Sequence, residues 1–182
     1  MGLRKKTESL SFEGRLYLVN VPGQGQGVFT NTGYLPEEPV LVFGGDLTPG
    51  DKIEDYTHYL QIGPDMYLGP SGSYDDFINH HCEPNCAVYF DGDALVLKSI
   101  RHINITEQLT LDYSTILLNE PTSFACKCNS RGCRQHIGSF LTLPPMLREK
   151  YLAHGMVPLL TRYRMEDLGF RYVYPDKYKE IA

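Results

Sequence analysis

Cys126-x-Cys128-x4-Cys133 is a thiolate spacing suited to a metal ion, and the loop it defines carries Asn129, Ser130 and Gly132, which permit a tight turn. Three sulfurs leave one tetrahedral position to fill. Cys82 is the natural fourth ligand, more than forty positions upstream, with Cys86 as its competitor and His81 and His136 as weaker candidates. Soft sulfur donors argue for zinc over magnesium or calcium, and four thiolates leave no open position, so one structural ion is expected. The plainer reading, core cysteines crowded together by chance, fits a Gly-containing polar loop poorly.

Two further short segments carry reactive groups. Asn79-His80-His81-Cys82-Glu83-Pro84-Asn85 sets two imidazoles beside a thiol, and Leu109-Thr110-Leu111-Asp112-Tyr113 ends on a carboxylate and a phenol. A metal held by His80, His81 and Cys82 together is disfavoured, because adjacent residues on a strand point to opposite faces. Taken alone, Asp112-Tyr113 reads as a buried tyrosine satisfied by a neighbour. Likewise, Gly23-x-Gly25-x-Gly27 alone reads as a hairpin turn, and no helix pattern follows it as a dinucleotide site would need.

The elements that must position these groups are mostly strands. Short apolar runs, Leu16-Tyr17-Leu18-Val19, Gly27-Val28-Phe29, Val40-Leu41-Val42-Phe43 and Tyr59-Leu60-Gln61-Ile62, alternate with Gly, Pro and Asn and show no 3.6-residue stripe. Asp91-Gly92-Asp93 separates Val88-Tyr89-Phe90 from Ala94-Leu95-Val96-Leu97 as a hairpin turn would. Helical signals gather at the end. Pro144-Pro145 opens a segment with Met146, Leu147, Tyr151 and Leu152 expected on one face, stopped near Gly155, and a second short helix is expected from Val157 to Met165. Tyr89-Phe90 and Tyr172/Tyr174 read as packing aromatics, and the charges near Arg162 and Asp176 as solvated helix faces.

Composition bounds the setting. A chain of 182 residues suits one domain with a good core and a short appendage. No apolar run approaches the roughly 18 residues of a membrane span, and the first residues lack the apolar core of a signal peptide, so an intracellular, membrane-free chain is expected. Five cysteines, four of them claimed by metal, make a disulfide framework uneconomical and a reducing compartment the expectation. The net charge of -5 argues against broad nucleic-acid binding and suits a basic protein partner.

Read together and in order, four motifs resemble those of SET-domain protein-lysine methyltransferases with a post-SET zinc knuckle. They are Gly25-Gln26-Gly27-Val28-Phe29, Phe77-Ile78-Asn79-His80-His81-Cys82-Glu83-Pro84-Asn85, Glu107-Gln108-Leu109-Thr110-Leu111-Asp112-Tyr113 and the Cys126/Cys128/Cys133 knuckle. The resemblance implies a mainly β fold of small curved sheets with a pseudoknot, here extended by short C-terminal helices. It divides the chain into a lead-in at 1–14, a SET domain at 15–119, a knuckle at 120–138 and an extension at 139–182. It further implies S-adenosylmethionine as cofactor on one face and a substrate lysine entering from the other. On that basis Gly25, Gln26, Gly27, Val28, Asn79, His80 and Tyr113 would contact the cofactor, with Tyr113 catalytic. Val88, Leu111 and Tyr59 would line the lysine channel, and Cys82, Cys126, Cys128 and Cys133 would hold the zinc.

The implied substrate is a histone tail first and a nonhistone basic protein second, with the nucleus the setting if the host is eukaryotic. Aliphatic Val88 and Leu111 lead to the expectation that more than one methyl group can be added. The rival is a noncatalytic zinc-containing module of the same fold that binds a peptide. Several positions depart from the family pattern: Asp76 stands where many members have Arg, Thr106 and Gln135 where Gly is usual, and Gln108 where a second Glu is usual. The pre-SET cysteine cluster of some histone H3 methyltransferases is missing. The spacer from Ser114 to Ser123 is the expected seat of substrate specificity.

Overall fold

Frequent Gly and Pro breaks divide the chain into short strands that form small sheets of two or three strands. The computed structural model describes residues 14–118, 124–164 and 167–168. Strand β1 (Leu16–Val21) turns through Pro22-Gly23-Gln24 into β2 (Gly25–Thr30), with Leu18 opposite Val28. β3 (Pro39–Val42) is followed by β4 (Leu47–Pro49), β5 (Leu60–Gly63) and β6 (Met66–Leu68), the last three forming a sheet in the order β4-β6-β5. Next come β7 (Asn79–His80), β8 (Cys86–Asp91) and β9 (Ala94–Ser99). β8 and β9 are joined by the expected hairpin, with Gly92 at φ 59 in its two-residue loop, and β3 adds to β9 as a third strand.

β10 (Thr110–Leu111) pairs with β7 in parallel, Thr110 beside Asn79 and Leu111 beside His80. Both strands are buried, so the His segment and the Asp-Tyr segment meet inside the protein. β11 (Phe124–Ala125) and β12 (His136–Ile137) form an antiparallel pair enclosing the knuckle, and helices α1 (Pro145–Ala153) and α2 (Pro158–Arg162) follow.

Strand periodicity explains how the helical segment attaches. Cys86 and Val88 of β8 face the main core with Val28, Leu97, Ile103 and Leu111. Ala87 and Tyr89, pointing the other way, face a second core built from Leu118, Phe140, Leu143, Tyr151, Val157 and Leu159. One strand therefore serves two cores, and the helices cover the face that the β body leaves open.

The buried face of α1 differs from expectation. Tyr151 and Arg148 are buried and Leu147 packs partly, but Met146 is 83% exposed and Leu152 also faces solvent. Residues five apart on a helix lie roughly 140° from one another, so Met146 cannot share the side of Tyr151, whereas Leu147, four before it, can. α2 is shorter than expected, since Tyr163 turns to extended backbone; Met165 and residues 169–182, with the tyrosines and charges there, lie outside the described residues. No described helix is long and apolar enough to cross a membrane.

Both positions where Gly was expected adopt left-handed backbone: Thr106 at φ 65 and Gln135 at φ 66. Asp76, the charge-reversed position, accepts hydrogen bonds from Ser71 N (3.0 Å) and Gly72 N (2.8 Å), so here it closes its own loop.

A β-branched residue at positive φ costs about 1–2 kcal/mol, partly offset in the glycine variant by the extra freedom of its unfolded chain. Thr106→Gly should therefore stabilise the protein by about 0.5–1 kcal/mol and raise Tm by about 1–4 °C in calorimetry. A lowered Tm would show that Thr106 earns its place by contacts that outweigh the backbone strain.

Candidate active site and metal centre

The knuckle brings four sulfurs together. Those of Cys82, Cys126, Cys128 and Cys133 all lie within 4.8 Å of one another, with Cys82 and Cys126 at 3.7 Å. A zinc ion with Zn–S distances of about 2.3 Å gives a tetrahedron edge of about 3.8 Å, so the donor set fits that ion in kind and in size. Cys86 takes no part: it is fully buried in the main core, where burial pushes its thiol pKa well up. His81 and His136 are not among the four either; His81 instead caps its own turn, accepting a hydrogen bond from Glu83 N at 3.0 Å.

Backbone amides point at the thiolates, as an anionic cluster requires. Arg134 N donates to Cys82 Sγ (3.4 Å), Cys128 N to Cys126 Sγ (3.5 Å) and Gln135 N to Cys133 Sγ (3.4 Å). The left-handed turns at Asn129 and Gln135 aim the chain so that these contacts form.

From the metal centre a short chain of contacts reaches Tyr113. His80 is buried, and burial, which dominates, lowers its pKa to about 4 against the opposing pull of Asp112. The ring is thus neutral at pH 7. Tyr113 N donates to its Nδ1 at 3.1 Å, which leaves the ring proton on Nε2, facing Cys82 Sγ at 3.3 Å. The Tyr113 hydroxyl donates to Ile78 O at 2.9 Å, and its ring meets His80 and Phe124 edge to face. Burial pushes the Tyr113 pKa up to about 12, keeping the phenol protonated.

Asp112 is the second support of Tyr113. Its carboxylate is 1% exposed and accepts from Arg134 Nη1 (2.8 Å) and Nη2 (2.7 Å), Ser114 N (3.1 Å) and the Tyr151 hydroxyl (2.8 Å). Although burial alone would lower it, the pKa of Arg134 is held up by this carboxylate. The pairing of Arg134 and Tyr151 with Asp112 had no signature in the sequence. Each lies far along the chain from Asp112, and only the fold brings them to it.

A cleft of about 1120 Å³ runs past Tyr113. Gln24, Gly25, Gln26 and Asn79 line it together with Leu111, Tyr113, Tyr59 and the spacer residues Ile116 and Leu117. Asn119 to Ser123, the second half of the spacer, lie outside the described residues. Gly25, at φ 75 with open space where a side chain would be, offers bare backbone to the cleft. Gly27 works differently: a Cβ there would come within 2.5 Å of Gln108 Nε2 and 2.9 Å of Asn79 Nδ2, so its bareness makes room for those amides. Asn79 in turn donates to Gln26 O at 2.9 Å and fixes the hairpin. Val28, Val88 and His80 do not line the cleft; both valines are fully buried in the main core. Phe43, Tyr56, His58, Tyr67, Phe77 and Phe124 add aromatic and imidazole walls, and Asp55, Asp65, Asp75 and Asp76 give it an acidic character. The knuckle also touches the hairpin, since Gln24 Nε2 donates to Lys127 O at 3.1 Å.

A family-wide sequence profile described as SET domain matches residues 9–114. The chain is 28% identical over 128 residues to histone H3-lysine(4) N-trimethyltransferase ATX1 of Arabidopsis thaliana, covering 60% of this chain and 12% of that protein. It is 41% identical over 71 residues to histone-lysine N-methyltransferase ash1 of Drosophila melanogaster, covering 37% of this chain and 3% of that one. The chain thus spans only a small part of these relatives. Among solved structures, KRYPTONITE in complex with mCHH DNA, an H3(1-15) peptide and SAH aligns with a TM-score of 0.57 at 24% identity, over 67% of this chain and 29% of that one, a likeness of fold.

Metal analysis should find about one zinc per chain. Cys82→Ser should lose it, whereas Cys86→Ala should retain it even if less stable. Retention by the first and loss by the second would move the fourth ligand to Cys86.

Proposed function

The chain belongs to the SET-domain family, and from that premise we propose that it is an S-adenosylmethionine-dependent protein-lysine N-methyltransferase with Tyr113 as its catalytic residue. The observation that carries this reading is a single cleft lined by both the Gly25 backbone and the Tyr113 ring. At about 1120 Å³ it exceeds the roughly 300–1,000 Å³ of ordinary small-molecule pockets, leaving room for a cofactor and a peptide segment together. S-adenosylmethionine, when bound, supplies an electrophilic methyl group on a sulfonium.

The chain's own residues handle the rest. Gln24, Gly25, Gln26 and Asn79 offer backbone and amide groups to a polar ligand at the hairpin, while Tyr113, Leu111, Ile116 and Phe124 wall an apolar passage. A lysine with a pKa of about 10.4 must lose its proton, at about 4.6 kcal/mol near pH 7. An apolar wall lowers that cost by disfavouring the ammonium. Tyr113 is not the base: with a pKa of about 12 its hydroxyl stays protonated and donates to Ile78 O, which leaves the phenol oxygen to accept from the neutral amine and orient it, while the ring forms a wall. Holding nitrogen, carbon and sulfur in line is then worth several kcal/mol.

The substrate is a basic protein segment. The four aspartates of the cleft and the net charge of -5 both favour a lysine-rich peptide over nucleic acid. A histone tail is the first candidate, with a nuclear setting, and a nonhistone basic protein the second. Because Val88 is buried away from the cleft, room for repeated transfer rests on Leu111 and its neighbours. More than one methyl group per lysine is the expected product by mass spectrometry, and strict monomethylation would contradict it.

Incubating the zinc-loaded protein with labelled S-adenosylmethionine, core histones and a cell extract tests the activity. Label should appear on a protein band, and Tyr113→Phe should reduce it by about a hundredfold or more without loss of zinc. Equal labelling by the variant would remove Tyr113 from its role; no labelling together with no cofactor binding would favour a peptide-binding module of the same fold.

A further inference from the structure

We infer that Tyr151, on helix α1 and beyond the residues matched by the SET-domain profile, is a positioning residue for Tyr113 that acts through Asp112. The inference rests on the reading of Tyr113 as the residue serving methyl transfer.

The Asp112 carboxylate has two jobs. Oδ1 accepts from Ser114 N, which caps the short helical turn Tyr113–Thr115 and sets the direction in which the Tyr113 ring leaves the strand. Oδ1 also accepts from Arg134 Nη2, and Oδ2 accepts from Arg134 Nη1 and the Tyr151 hydroxyl, so both oxygens are doubly satisfied. The two parallel bonds to Arg134 set the carboxylate in the guanidinium plane but leave it free to tilt about that pair, and outside the fork Ser114 N holds only Oδ1. Tyr151 supplies, from the second core, the matching donor that holds Oδ2.

Tyr151 is built for this task. It is 2% exposed and packed among Phe140, Leu143, Met156 and Leu159. Burial in that cluster raises the phenol pKa, so it remains a protonated donor. The helical extension thereby contributes a hydroxyl to the support of the site as well as covering β8.

Tyr151→Phe removes this one oxygen. Tyr163→Phe is the control, since Tyr163 belongs to the same extension and packs against the same cluster. Rates are measured on the zinc-loaded full chain well below its melting temperature. Tyr151→Phe should lower kcat about tenfold while KM for cofactor and peptide stays within twofold, and Tyr163→Phe should change neither. In parallel, the ring resonance of Tyr113, assigned in tyrosine-labelled protein with the Tyr113→Phe variant, should shift in Tyr151→Phe and stay put in Tyr163→Phe. A wild-type kcat, an unshifted resonance, an equal effect of both variants, or failure of Tyr151→Phe to fold would each overturn the inference. If the wild type transfers no methyl group but the resonance still shifts, the link from Tyr151 to Tyr113 stands and the methyltransferase reading fails.

Discussion

A carboxylate withdrawn from water must be matched donor for donor, and the arrangement around Asp112 follows from that requirement. Removing one partner from a buried ion pair costs about 3–5 kcal/mol, because the remaining charge is left unsolvated. Asp112 collects its donors from three separated parts of the chain: its own turn, the knuckle through Arg134 and helix α1 through Tyr151. Each part is held in place by the others' need for it. The phenol that follows Asp112 inherits its position from this closed set of contacts.

Such support is needed because the sheet offers little. β10 is two residues long and, among the described residues, pairs only with an equally short β7. Two ladder positions cannot hold a side chain to the tolerance that group transfer needs, which is a fraction of an ångström. The cluster of four cysteines supplies a second anchor. Cys82 ties β7 to the knuckle, and His80 links that sulfur to the Tyr113 backbone with one nitrogen on each. The contact between Gln24 and Lys127 extends the same tie to the glycine hairpin. Cysteine cluster, hairpin and tyrosine are in this sense one assembly.

Much of this was legible in the sequence, and the parts that were not share a cause. The thiolate spacing, the hairpin at Gly92 and the short apolar runs are local signals, and each maps to a local structure. The two Gly departures were visible as departures, and the backbone explains them: Thr106 and Gln135 occupy left-handed positions that glycine fills without strain. Asp76, standing where many family members have Arg, reverses a charge, and nearby amides satisfy it. What the sequence does not carry is the long-range pairing of Asp112 with Arg134 and Tyr151, since no spacing rule links residues across separate elements. The roles of Val88 and Gly27 were equally hidden, because the direction in which a residue faces depends on which neighbour fills the space beside it.

The most direct test of the account is calorimetric titration of S-adenosylhomocysteine into the zinc-loaded protein and into the same protein stripped by a strong chelator, with circular dichroism recorded on both. If metal, hairpin and tyrosine form one assembly, the loaded protein binds and the stripped protein loses that binding while the β body remains folded. Equal affinity in both states would contradict it, and would separate the cofactor cleft from the metal centre.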